Sequence, residues 1–443
     1  MGSFARTSTT PYPIGQAEKP SIQRMTQDSK KELVTSTDYS RPYRPFPVRV
    51  YNWLSRSFSL QGNLEPEELI KKAQKKTGLR DLGHDAALHS LDVLLNSINN
   101  EARLSPTGKL IQKSRFTRAL IHRLRIEELL NKYPEIHEID LGRITLITGL
   151  QRTGTTLLQR LLNSNPAIRA LSSDELLEPV PTRNLNRGTK MIRGFRSFMA
   201  HRAISYLSPD FRIVHPISKS EPEEDVLLLD LCFMSQSNEA TMNVPTYSQW
   251  LEKQNHAHAY EYFRTMLKIL SWQHGGDHWV LKTPHHMEYL DVFLNTFPDA
   301  KVIQTHRDPR KTLPSFCSMV AHGRGMFSDH VNPEEIASHW HRKILRMIQV
   351  TEAVRSKYET DRFVDISYNN LIADPIEQLQ KIYQWIGMDF NDQAVNCAEQ
   401  YIKTNPKNRF GRHFYSMRDF GLTEEDVETS ISGYRQKYQI PFE

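Results

Sequence analysis

The sequence predicts an α/β fold, with a central parallel sheet flanked by helices and a helical extension in front of it. Three observations carry this reading. Short apolar, β-branched runs recur at Ile144–Thr148, Trp279–Lys282, Lys301–His306 and Arg362–Ser367, and each is followed by a helical pattern. The first run passes through a glycine-bounded turn straight into Leu157, Leu158, Leu161 and Leu162, which share one helix face. Ahead of it, residues 63–140 show helical spacing only. In such folds ligands gather at the carboxyl ends of the strands.

Taken in order, residues 1–40 are rich in Ser, Thr, Pro, Gln and Lys and show little apolar periodicity, the composition of a disordered or loosely packed tail. Residues 41–60 interleave arginines with aromatics. Such a segment either lies weakly on a membrane surface or packs its aromatics on the body and leaves Arg41, Arg44, Arg49 and Arg56 solvated. The prolines favour packing on the body, because they interrupt a long amphipathic helix.

Pro66 at a first-turn position and Gly78 bound the first clear helix. Leu82–Ile98 and Pro106–Tyr133 are the next two, so residues 41–140 form a helical extension packed on the core, and 141–443 the main domain. After the glycine turn, Asn163–Pro166 ends a helix. Residues 183–278 read as largely helical, with Glu221–Met234 and Tyr260–Trp272 as the clearest runs. Helices then follow each remaining strand: Tyr289–Phe297, one carrying Ser315 and Ser318, and Pro375–Ile386, which Gly387 stops. A basic loop around Gly411 and Arg412 precedes a last helix that runs to Tyr438.

Composition narrows the partners. The net charge of +6 and pI near 9.0 suit anionic ligands, but there is no long basic tract, so nucleic acid is not expected. The three cysteines, Cys232, Cys317 and Cys397, lack metal or disulfide spacing, which fits a reducing, cytoplasmic setting. The longest apolar stretch, Val226–Met234, is broken by Asp230, so no transmembrane helix is expected. The first residues carry no apolar run, so no signal peptide is expected, and Arg6 spoils a myristoylation signal after Met1-Gly2.

The turn Gly149–Thr156 carries the chemistry. Strand, glycine loop and helix aim backbone N–H groups and a helix N-terminus at one spot, and the glycines let the backbone approach an anion closely. Gly149-xxxx-Gly154 followed by Thr155 and Thr156 nearly matches the phosphate loop G-x-x-x-x-G-K-[ST], which makes the fold P-loop-like, a three-layer arrangement. Thr155 stands where the lysine belongs, and Arg152 is the loop's cation. That lysine serves a nucleoside triphosphate, so a kinase or NTPase is disfavoured and kept as an alternative. The glycines alone are equally consistent with an ordinary strand-to-helix turn.

Several stretches together resemble one family. Gly149–Leu158 resembles the 5′-phosphosulfate loop of sulfotransferases, which use 3′-phosphoadenosine 5′-phosphosulfate (PAPS). Val302–Ser315, with Arg307 eight residues before Ser315, resembles their 3′-phosphate site. Trp279–Pro284, Phe297–Ala300 and Tyr415–Leu422 are similar to the bacterial-type group, and the resemblance runs from about residue 65 to the end. It implies sulfuryl transfer from PAPS to a hydroxyl of a small-molecule or lipid-like acceptor, without a metal. It assigns Gly149, Arg152, Thr153, Gly154, Thr155, Thr156, Arg307 and Ser315 to PAPS, with Gly411 and Arg412 as further candidates. Lys282 matches the lysine that supports charge on the leaving phosphate, a task Arg152 can share. For the base that accepts the acceptor's proton, Glu175 is favoured and His285 is the alternative; a glutamate there needs burial to raise its pKa. A nucleotide-binding protein without turnover is the remaining rival.

Overall fold

The computed structural model describes residues 35–58, 62–180, 187–216, 221–406 and 412–443, with side chains of the stretch after 187 described from Met191. Residues 1–34 of the expected tail, the end of the 41–60 segment, and Gly411 with residues 407–410 lie outside the described residues.

The N-terminal part is helical: α1 (Phe46–Ser57), α2 (Pro66–Thr77), α3 (Ala86–Glu101) and α4 (Pro106–Lys132). Pro66, Glu67 and Glu68 occupy the first turn of α2, and Gly78 ends it at φ +77°. Ser105 caps α4 by accepting from Gly108 N. Next come β1 (Arg143–Gly149), α5 (Thr155–Asn163), α6 (Ser173–Leu177) and α7 (Arg187–Leu207). Short helices α8 (Phe211–Val214), α9 (Val226–Leu229), α10 (Ser237–Thr241) and α11 (Pro245–Leu251) lead to the long α12 (Ala257–His274). The rest is β2 (His278–Lys282), α13 (Leu290–Thr296), β3 (Lys301–His306), α14 (Pro309–Phe327), α15 (Pro333–Arg355) and β4 (Phe363–Ser367). It closes with α16 (Tyr368–Ala373), α17 (Pro375–Ile386), α18 (Asp392–Thr404) and α19 (Glu424–Lys437).

The four strands form one parallel sheet in the order β2-β1-β3-β4. Ile147 of β1 pairs with Lys282 on one side and Ile303 on the other. Alternate side chains of β1 enter different cores, as strand geometry requires. Leu146 joins Trp279 and Leu281 with Leu69, Leu94 and Leu120 of α2–α4 and Phe263 of α12, so the N-terminal helices pack on one face of the sheet. Ile147 joins Val280, Ile303, Leu158, Leu162 and Ile382 on the other. Helices on both faces make the expected three layers.

Two expectations need correcting. Glu221–Met234 is not one long helix. Glu223 N bonds Leu171 O and Asp225 N bonds Lys282 O, which ties this backbone to the end of β2. Only α9 and a single turn of 3-10 helix at Asp230–Cys232 remain, and Phe233 stops that turn at φ +56°. The second correction concerns residues 41–58. α1 buries its polar Asn52 and Ser55, while Phe46, Trp53 and Phe58 stand 68 %, 65 % and 68 % exposed. These three aromatics do not pack on the body, and Arg44, expected to be solvated, has its side chain mostly buried against Asp329. Among the described residues no helix is long and apolar enough to cross a membrane.

Candidate active site

The glycine loop is built to be tight. Gly149 has φ +144°, and a Cβ there would lie 2.4 Å from Thr305 Oγ1 and 2.6 Å from Thr305 O. Gly154 has φ +91°, and its Cβ would meet the Tyr368 ring at 2.9 Å. Both positions require glycine. Between them Arg152 adopts φ +68°, a left-handed conformation rare for a non-glycine residue and a mark of functional loops. The Thr153 hydroxyl is spent inside the loop, 2.6 Å from both Leu150 O and Thr305 Oγ1. What the loop offers an anion is therefore backbone N–H groups and the start of α5, where Thr155 and Thr156 sit.

Two cationic groups flank the loop, as the sheet order dictates. On the β2 side, Lys282 is fully buried; its Nζ donates to Glu224 Oε1 at 3.0 Å and to Thr156 Oγ1 at 3.2 Å. Its main chain is held by Asp225, whose Oδ2 accepts from Lys282 N at 2.7 Å. Asp225 Oδ1 lies 3.1 Å from His286 Nε2, and His286 Nδ1 lies 2.7 Å from Tyr260 OH, so a buried polar chain fixes this strand end. Glu224 also accepts from Thr283 Oγ1 at 3.3 Å and keeps about 30 % of its side chain open.

On the β3 side, Arg307 donates to Arg152 O at 3.2 Å and stacks over Tyr368 at 4.0 Å. Its guanidinium is also held by Glu443, with Nη2 to Oε2 at 2.8 Å. Burial works to lower the Arg307 pKa, but the Glu443 carboxylate outweighs it and the net shift is upward. Arg152 Nε donates to Ser315 Oγ at 3.1 Å and Nη1 to Val214 O at 3.1 Å. Burial pulls the Arg152 pKa down, and Arg307 nearby adds to the fall. Arg152, Arg307 and Ser315, far apart in sequence, thus form one group.

The C-terminal loop reaches the same place. His413 Nε2 lies 2.9 Å from Ser318 Oγ, one turn beyond Ser315. Burial, helped by the charge of Arg152, pushes the His413 pKa down to about 3, so this histidine is neutral. Arg412 beside it is exposed, and its carbonyl accepts from Thr35 N at 3.3 Å.

The two expected bases have their own surroundings. Glu175 is the carboxylate of a capping box at α6: it accepts from Ser172 N at 3.1 Å, Ser172 Oγ at 2.9 Å and Arg169 Nη2 at 2.8 Å. Burial would raise its pKa, but Arg169 and the Ser172 hydrogen bonds overcome that and lower it, the reverse of a tuned base. His285 is buried with neither ring nitrogen hydrogen-bonded, and it packs against Tyr289 at 4.8 Å. Burial holds its pKa well below the usual histidine value. The carboxylate that does touch Lys282 is Glu224, which sequence reasoning missed. Its signal was the acidic run Glu221-Pro-Glu223-Glu224-Asp225, which reads as the first turn of a helix. Tyr368 and Glu443 were missed too, and neither carries a local signature.

Comparisons with known proteins identify the family and the fold. A profile described as the sulfotransferase family matches residues 145–392. The omega-hydroxy-beta-dihydromenaquinone-9 sulfotransferases Stf3 of Mycobacterium bovis and Mycobacterium tuberculosis are each 24% identical over 166 residues, 37% of this chain. That match spans 42% of the length of these curated relatives. Among solved structures, sulfotransferase STF1 from Mycobacterium tuberculosis superposes with a TM-score of 0.73 at 30% identity, covering 84% of this chain and 99% of that one. Sulfotransferase STF9 from Mycobacterium avium gives 0.77 at 23% identity, covering 85% and 97%, a likeness of fold.

Proposed function

Because the chain belongs to the sulfotransferase family, we propose that it transfers a sulfuryl group from PAPS to a hydroxyl of a small-molecule or lipid-like acceptor. The observation that carries the proposal is the buried Lys282 ammonium between Thr156 and Glu224, at the strand end beside the glycine loop. The cradle fits PAPS: two glycines admit no Cβ, and the donors around it are backbone N–H groups, the Thr155, Thr156 and Ser315 hydroxyls, and the cations Lys282, Arg152 and Arg307.

PAPS supplies the activated sulfuryl group. Backbone N–H groups of 150–156 and the Thr155 and Thr156 hydroxyls would hold its 5′ end, and Arg307 with Ser315 its 3′-phosphate. Gly411 and Arg412 remain proposed helpers there. Lys282, with Arg152, would neutralise the charge that develops on the leaving phosphate. Glu224, hydrogen-bonded to Lys282 yet open on one side, is our choice of base for the acceptor hydroxyl, in place of Glu175 and His285. The lipid-like part of the acceptor class draws on the Stf3 relatives, whose name gives a hydroxylated menaquinone derivative.

The test is transfer of labelled sulfate from PAPS to a panel of polyprenyl and small alcohols in buffer with a chelator. Transfer is expected without magnesium, and Lys282→Met should lower kcat by about 10²–10³-fold. Magnesium-dependent ATP turnover would favour the kinase reading instead. Binding of adenosine 3′,5′-bisphosphate with no transfer across the panel would favour a binding protein.

A further inference from the structure

α1 is inverted relative to a helix that packs by its apolar stripe. Its polar side chains face the protein, and its apolar ones face out. The inversion is fixed by hydrogen bonds. Asn52 Oδ1 accepts from Thr107 N at 2.9 Å and Thr107 Oγ1 at 2.7 Å, at the start of α4. Arg44, just ahead of α1, donates to Ser328 O at 2.7 Å and pairs with Asp329 at 2.8 Å. With those anchors made, Phe46, Val50, Trp53, Leu54 and Phe58 are left exposed together. α7 repeats the pattern: Met191, Phe195, Phe198, Met199 and Tyr206 are exposed at helical spacing, Phe195 by 63 %. Tyr43, just before α1, and Leu207, at the end of α7, share the wall of a cavity of about 290 Å³ with Tyr39 and His322.

Within the two segments the charge has one sign, while Asp38 and Asp210 stand in the wall of the cavity. There is no Asp or Glu from Tyr39 to Asn63, where four arginines stand, nor from Pro179 to Ser208, where there are five arginines and a lysine. These cations together exceed the chain's net charge of +6. Asp329 takes up Arg44 and Arg56, and Glu178 takes up Arg196, while Arg41, Arg49 and Arg202 are exposed. Exposed Trp, Phe and Tyr among arginines, with no acid between them, match the boundary of a bilayer rich in anionic lipid.

We infer that α1 and α7 dock this protein on the surface of an anionic lipid bilayer, lying in the headgroup layer without spanning it. Tyr39, one wall of this cavity, donates its OH to Ser318 Oγ at 2.9 Å, and Ser318 is one turn from Ser315. The docking itself does not rest on the transfer chemistry, so each can fail alone.

The experiment is co-sedimentation of the full chain with vesicles, needing neither PAPS nor an acceptor. Vesicles of phosphatidylcholine with about 30 % phosphatidylglycerol should bind it at least about tenfold better than phosphatidylcholine alone. Phe46→Ser, Trp53→Ser and Phe58→Ser combined should lower binding to anionic vesicles about tenfold or more, with circular dichroism and thermal midpoint unchanged because these side chains are exposed. Arg41→Glu with Arg49→Glu should weaken binding and flatten its salt dependence. Equal sedimentation of wild type and the triple variant overturns the inference. So does a dimer that the triple variant abolishes while vesicles are ignored, since the face then belongs to a second copy. Comparison of the wild type with Trp53→Phe by acrylamide quenching, without vesicles, supplies a third outcome. A shielded Trp53 would assign the face to residues 1–34 and overturn the proposal.

Discussion

Lys282 Nζ and Glu224 Oε1 lie 3.0 Å apart at the carboxyl end of β2, the lysine sealed from solvent and the glutamate open on one side. An amine held this way cannot turn from its task, and a carboxylate so placed can meet an incoming hydroxyl without leaving it. Glu224→Gln keeps the size and the hydrogen bond but removes the base. Its kcat should fall about 10²–10⁴-fold while the thermal midpoint stays near that of the wild type. Initial rates with saturating PAPS check this; an unchanged kcat rejects Glu224 as base.

Glu175→Gln should cost stability rather than rate. Loss of the capping-box carboxylate and its Arg169 pair is worth about 1 kcal/mol. The pH dependence has a definite sign. The folded-state pKa is depressed, so the contribution is present above the unfolded carboxylate pKa and disappears as pH falls through the folded value. Urea midpoints of wild type and variant should differ at pH 7 and converge as pH drops below about 4. Convergence at high pH instead would show the sign to be wrong.

His285→Phe should leave the pH–rate profile unchanged, because the ring is buried, neutral and without a polar partner. The swap keeps the packing against Tyr289 and should alter stability by less than about 1.5 kcal/mol. A rate loss of orders of magnitude would return the base to His285.

Glu443 competes for the guanidinium proposed to hold the 3′-phosphate. Glu443→Gln should tighten adenosine 3′,5′-bisphosphate binding by about fivefold, near 1 kcal/mol, and Arg307→Ala should weaken it by at least as much. Calorimetric titration reads both. Identical affinities for wild type and Glu443→Gln would mean that the phosphate goes elsewhere.

Gly149→Ala should destabilise the fold by more than about 2 kcal/mol and abolish bisphosphate binding, since the new methyl meets the Thr305 carbonyl and hydroxyl at a positive φ. Chemical denaturation and titration measure the two effects. An alanine variant of wild-type stability and affinity would show that the turn relaxes.

Much of this molecule was legible in its sequence, because the signals were local. β-branched runs gave the four strands within a residue or two, and Gly78 and Gly387 marked helix ends that the structure closes with left-handed glycines. The glycine loop was legible from its own spacing, whereas Lys282, Arg307 and Ser315 were singled out by the family resemblance. What was hidden depends on long-range contacts. Glu224 sits beside Lys282 only because Asp225 is stitched to the end of β2, which also breaks the helix expected over Glu221–Met234. Glu175 was favoured as base from the family resemblance, and its contacts to Arg169 and Ser172 depend on folding that the sequence does not spell out. The outward turn of α1 follows from Asn52 finding Thr107, a contact no periodicity announces.

The position of β1 between β2 and β3 has an evolutionary corollary. Lys282, the glycine loop and Arg307 are pinned to neighbouring strand ends, while the long excursion from α5 to β2 is tied to that frame at Val214, which accepts from Arg152, and at Glu224 and Asp225, which hold Lys282. Mutations away from those three residues can reshape the excursion and leave the strand ends untouched. On the proposed function, a lineage carrying this arrangement could explore new acceptors by altering the rest of the excursion.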